Sequence, residues 1–148
     1  MKLGLDSNVL IYAQIPSMLA HNAVRSFMLK QLANPETQLI VTPAILHEFV
    51  HIVTDSRRFE PPVSMFEAIA IARNYLGRTN VRCLATDEAA LQLALELMER
   101  HRLGRQRLAD SLFAATLLIN GVHELITCNP ADYRIFPQLH LIDPRTAA

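Results

Sequence analysis

The chain has 148 residues, 51% of them hydrophobic and 19% charged, and its 14 Lys and Arg balance 14 Asp and Glu. That length fits a single domain spanning residues 1–148, with a core large enough to stand without staples, and the apolar fraction excludes a disordered chain. A formal net charge of zero argues against coating nucleic acid through bulk charge, and no apolar run reaches the roughly 18 residues that a membrane span needs.

Lys2–Leu5 reads as a short strand running into Asp6-Ser7-Asn8, with Asn8 able to cap a brief helix over Val9–Gln14 that stops near Pro16. His21–Ala33 carries an apolar stripe of Val24, Phe27, Met28, Leu29 and Leu32 and predicts a helix ended by Asn34-Pro35. Leu39–Val41 is a second strand. Thr42-Pro43 then places an N-cap and a first-turn proline ahead of a helix to Thr54. After a loop at Ser56–Pro62, a helix is predicted over Ser64–Leu76, and Val81–Ala85 is a third strand. Thr86-Asp87 opens a helix to about Leu103, with Asp87 its cap and Gly104 its stop. Arg107–Asn120 is a further helix, ended by Gly121. It is apolar nearly all round, which predicts burial. Glu124–Thr127 and Leu139–Ile142 are the last strands, separated by a turn at Asn129–Asp132. Strands separated by helices of crossover length predict a parallel α/β sandwich, whose ligands bind beyond the carboxyl ends of the strands.

That rim is where the acids fall. Asp6 follows the first strand and Asn129 and Asp132 follow the fourth. Glu48 sits on the helix that leaves the second strand, at the edge of its apolar face, while His47 and His51 lie further toward solvent. Asp110 stands in the first turn of an apolar helix, where a buried carboxylate needs a metal, a cation or backbone donors. A plain helix-capping or dipole role would also account for it. Carboxylates brought together repel unless a cation joins them. Hard oxygen donors without a Cys–His set suit Mg²⁺ or Mn²⁺, and such a site can activate water for in-line attack on a phosphodiester. Ser7 and Thr127 flank these acids as candidate supports through hydrogen bonds to the ligands. Arg102, Arg105 and Arg107, with Arg100, lie just before Asp110 and can grip phosphates or compensate a helix end. An acid at Asp6, where a signal peptide would be apolar, and two unpaired cysteines, Cys83 and Cys128, predict a reduced, cytoplasmic protein.

Four segments resemble one family in order. Gly4-Leu5-Asp6-Ser7-Asn8-Val9-Leu10-Ile11-Tyr12-Ala13 resembles the opening of PIN-domain ribonucleases, and Val41-Thr42-Pro43-Ala44-Ile45-Leu46-His47-Glu48-Phe49 is similar to their second motif. Leu108-Ala109-Asp110-Ser111-Leu112-Phe113-Ala114-Ala115-Thr116 is similar to the third, and Thr127-Cys128-Asn129-Pro130-Ala131-Asp132-Tyr133 to the fourth. The likeness is nearest to the VapC toxins of bacterial and archaeal toxin–antitoxin pairs. It implies a three-layer α/β/α sandwich with a central parallel sheet, and metal-dependent endonucleolytic cleavage of RNA. Asp6, Asp110 and Glu48 would be the metal ligands, and Asn129 and Asp132 would complete the catalytic set. It also implies homodimers and a small cognate antitoxin. Many relatives carry an acid where this chain has Asn129, which leaves one or two metal ions open, and leaves open a weakened scaffold that only binds RNA or a partner. A competing match is His47-Glu48-Phe49-Val50-His51, the His-Glu-x-x-His pattern of zinc metalloproteases, although no downstream segment offers a clear third ligand.

Overall fold

In the computed structural model, which describes residues 1–147, five strands form one sheet: β1 (Lys2–Leu5), β2 (Gln38–Val41), β3 (Val81–Cys83), β4 (Glu124–Ile126) and β5 (His140–Ile142). Every pairing is parallel and the order is β3-β2-β1-β4-β5. Six helices flank the sheet: α1 (Ser7–Gln14), α2 (His21–Ala33), α3 (Pro43–Val53), α4 (Met65–Leu76), α5 (Glu88–Arg100) and α6 (Leu108–Ile119). This is the expected α/β/α sandwich. Each parallel crossover requires a covering element, so the inner strands read as apolar runs buried on both faces. Leu3, Leu5, Leu39, Val41, Leu125 and Ile126 are all buried.

Strand order decides where a ligand can sit. From β1 the chain builds outward through β2 and β3 on one side, and through β4 and β5 on the other. The crevice between the carboxyl ends of β1 and β4 is therefore the switch point of the sheet. Gly4 lies in the middle of β1, and a Cβ there would stand 2.6 Å from Leu117 Cδ1. Only a residue without a side chain lets α6 pack this closely on β1. Because α6 leads through a short turn into β4, its first turn lies at the carboxyl rim.

Several boundaries differ from expectation. α1 begins at Ser7, because Asp6 rather than Asn8 is its cap: Asp6 Oδ1 accepts the Ser7 N–H at 2.8 Å. Asn8 lies inside the first turn. α5 stops at Arg100 instead of Leu103, and Arg102, not Gly104, takes the left-handed conformation with φ 52. The Leu103 N–H bonds to the Met98 carbonyl at 2.9 Å and the Arg102 N–H to that of Glu99 at 3.3 Å. This is a Schellman closure with a non-glycine residue at its usual glycine position. It lets Leu103 reach the core, which offsets the roughly 1–2 kcal/mol strain at Arg102. A 3-10 turn at Arg105–Arg107 precedes α6, and Gly121 closes it with φ 71. α6 is not buried all round. Leu108 is 55% exposed and, with Ala109 and Leu112, lines an open apolar groove with Leu91, Leu95 and Met98 of α5. No helix among the described residues is long and apolar enough to cross a membrane.

Candidate active site

The rim at the switch point is built from four pieces of backbone. β1 ends at Leu5 and delivers Asp6, which is only 7% exposed. Its Oδ1 caps α1 through Ser7, while its Oδ2 accepts the Thr127 hydroxyl at 2.8 Å and the Asn8 amide at 3.1 Å. Thr127 is fully buried at the end of β4, and its Oγ also accepts the Asn129 N–H at 3.0 Å. Asn8 ties the same two strand ends together, since its Oδ1 accepts the Cys128 N–H at 3.0 Å. Asp6 is thus held by groups from both walls of the crevice, and the hydroxyl and amide donors fix its orientation. Thr127 reaches Asp6 through its hydroxyl, whereas Ser7 does so only through its backbone N–H. Asn8 is an addition that sequence reading placed only as a helix cap. The signal lay in Asp-Ser-Asn at a strand end, where three short polar side chains follow an apolar run.

A second acid reaches the rim on the first turn of α6. Asp110 Oδ1 accepts the hydroxyl of Tyr133 at 3.2 Å, and its Oδ2 lies 3.6 Å from an Arg107 guanidinium nitrogen. The same Arg107 nitrogen hydrogen-bonds Asp132 Oδ1, and the Asn129 amide donates to Asp132 Oδ2. Tyr133 is buried beside Phe136, so a phenol rooted in the core positions Asp110. Tyr133 lay within the fourth motif without an assigned role. Ser111, next to Asp110, keeps a fully buried hydroxyl with no hydrogen-bond partner, which costs about 1–3 kcal/mol.

Electrostatics joins these pieces. Burial pushes the Asp6 carboxyl up from its usual 3.8 to about 6. The negative charges of Asp110 and Glu48 push in the same direction, while the bonds from Thr127 and Ser7 pull back. Burial also raises Asp110, with repulsion from Asp132 and Glu48 added and Tyr133 and Arg107 opposing. Glu48, half-buried on the second turn of α3, is therefore felt by both aspartates. Thr42 aims that helix by capping it, accepting the Ile45 N–H at 3.3 Å.

Among the described residues, no three His, Cys, Asp or Glu side chains stand together as a ready metal cage. The donor chemistry nevertheless suits a hard divalent ion, since Asp6, Asp110 and Glu48 offer only carboxylate oxygens and lie near enough at this rim to raise the pKa values of both aspartates. Two of the rim acids already share a cation, since the Arg107 guanidinium lies between Asp110 and Asp132. The other candidate arginines stand apart. Arg100 pairs with Glu96 at 2.7 Å, and Arg102 and Arg105 are exposed. His47 and His51 are exposed on α3 and no third ligand joins them among the described residues, so the zinc-protease pattern has no site behind it.

With this geometry established, comparison with known proteins places the chain. The PIN domain family model matches residues 4–135, and the chain belongs to the PIN-domain family. It is 27% identical to Ribonuclease VapC33 of Mycobacterium tuberculosis over 139 residues, covering 94% of this chain and 95% of that one. It is 26% identical to Ribonuclease VapC24 of the same species over 146 residues, covering 98% of each. Among solved structures, VapBC2 from Rickettsia felis, bound to a DNA fragment from its promoter, superposes with a TM-score of 0.66 at 17% identity over 96% of this chain and 98% of that chain.

Proposed function

We propose that this protein is a Mg²⁺- or Mn²⁺-dependent endoribonuclease, the toxin of a VapBC-type pair. The observation that carries the reading is the buried Asp6 carboxylate, braced from both strand ends and facing the charges of Asp110 and Glu48. Like charges that raise the proton affinity of both aspartates are relieved by a cation. The full-length likeness to two VapC ribonucleases supports the same reading.

Asp6, Asp110 and Glu48 would hold the ion. Asn129 commits its amide nitrogen to Asp132, which leaves its carbonyl oxygen as a neutral donor. A bound divalent ion would activate water and offset the charge that develops on a phosphodiester under in-line attack. The remaining work belongs to the protein's own groups. Thr127 and Asn8 keep Asp6 from rotating, Tyr133 keeps Asp110 aimed at the crevice, and Arg107 supplies a guanidinium fork where an RNA phosphate would lie. A cognate antitoxin and a second copy of the chain fit two exposed apolar surfaces. One is the α5–α6 groove, and the other is lined by Leu46, Val50, Met65, Ile69 and Leu76 on α3 and α4. Reduced thiols accord with a cytoplasmic setting.

A second reading, a scaffold that binds RNA without cutting it, draws on the hydrogen bonds and ion pairs already made by Asp110 and Asp132. One assay separates the two. Purified protein incubated with a mixed RNA pool should cleave it in Mn²⁺, and chelation by EDTA should reduce cleavage at least about a hundredfold. Cleavage undiminished by EDTA would remove the metal, and binding without cleavage in saturating Mn²⁺ would favour the scaffold.

A further inference from the structure

We propose that Arg107 is a built-in counter-cation of the acidic rim, which competes with the divalent ion for Asp110 and Asp132 and is released toward the substrate phosphate when the ion enters. This rests on the metal-dependent reading above.

Three observations carry it. Arg107 bridges two carboxylates from different segments, Asp110 on α6 and Asp132 in the turn after β4. Among the described residues it is the only basic side chain paired with any of Asp6, Glu48, Asp110 and Asp132. The oxygens it occupies also have no spare charged partner: Asp110 otherwise has the Tyr133 hydroxyl, and Asp132 has the Asn129 amide. An ion that takes Asp110 must therefore share it with Arg107 or displace it.

Displacement is physically accessible. The Arg107 side chain is 34% exposed and stems from a 3-10 turn rather than from the core. Its flexible stem can swing without unfolding anything. A partly exposed ion pair of this kind amounts to about a fivefold change in affinity, small beside the affinity of a divalent ion for several carboxylates. Once freed, the planar fork matches a phosphodiester in a way an ammonium does not. One residue then serves two states, bridging the two acids before metal binds and gripping the backbone of RNA afterwards.

The test is a Mn²⁺ titration of the RNA-free protein at pH 7.5, followed by electron paramagnetic resonance of the free ion. Arg107→Gln should bind Mn²⁺ about fivefold more tightly than wild type, Arg107→Lys should fall between, and Arg105→Gln, which removes an equal charge from an unpaired neighbour, should match wild type. Steady-state kinetics of Arg107→Gln on RNA should show a raised KM. Wild-type affinity in both Arg107 variants, with wild type still binding Mn²⁺, would overturn the competition alone. Absence of Mn²⁺ binding in wild type and every variant would overturn the metal-dependent reading along with it.

Discussion

Asp6→Asn and Asp110→Asn should each lower RNA cleavage by about a hundred- to a thousandfold while leaving the fold intact. Each change keeps shape and removes one charge. Asn at position 6 retains an oxygen to accept the Ser7 N–H, so α1 keeps its cap. Asn at position 110 retains an oxygen for the Tyr133 hydroxyl. What disappears is the negative charge at the switch point, where attraction for a divalent ion is generated. Circular dichroism should be unchanged in both variants, and kcat should carry most of the loss. Near-wild-type turnover in both would detach the reaction from this crevice.

The second large effect is on stability. Asp6 is buried and its carboxyl titrates near 6 in the folded chain, against 3.8 unfolded. Between those values the folded state binds the proton more tightly, so stability falls as pH rises through the window. The full loss, present above about pH 6, is about 3 kcal/mol. Asp110 adds a contribution of the same sign. Asp55 and Asp143, lowered by bonds to Arg57 and Arg145, act oppositely, and they do so equally in wild type and an Asp6 variant. The clean readout is therefore a difference. In EDTA, the stability of wild type relative to Asp6→Asn in urea unfolding should fall by about 3 kcal/mol between pH 3 and pH 7, on top of a pH-independent offset from the Thr127 and Asn8 bonds that the new amide nitrogen cannot accept. Added Mn²⁺ should restore wild type at pH 7 and leave Asp6→Asn unmoved. Parallel profiles would mean that Asp6 is not under strain.

Much of this was legible in the chain because the signals were local. Strand runs followed by polar residues, Thr42-Pro43 at a helix start, and Gly121 at a helix end are short-range chemistry, and each falls where expected. Parallel pairing followed from crossover lengths. Strand order did not, because several orders satisfy the same crossovers, and it is the order that puts Asp6 beside Thr127. The end of α5 was misread because a long-range demand, Leu103 reaching the core, overrode the preference for glycine at the turn. The open face of α6 was hidden for a related reason: an apolar helix and a buried helix look the same until its neighbour α5 is seen to leave Leu108 uncovered. At the rim, the acids were visible from their positions after strands. The ties among them, Asn8 to Cys128, Tyr133 to Asp110 and Arg107 between two aspartates, join residues up to 120 apart and have no short-range signature.

Crystals soaked in MnCl₂ and measured for anomalous scattering give the most direct test of whether these oxygens share an ion. The expected map has a Mn²⁺ peak in the crevice between β1 and β4, within about 2.2 Å of carboxylate oxygens of both Asp6 and Asp110, with Arg107 turned away from Asp110. A crevice without a peak at saturating Mn²⁺, or an ion bound out of reach of both aspartates, would contradict it.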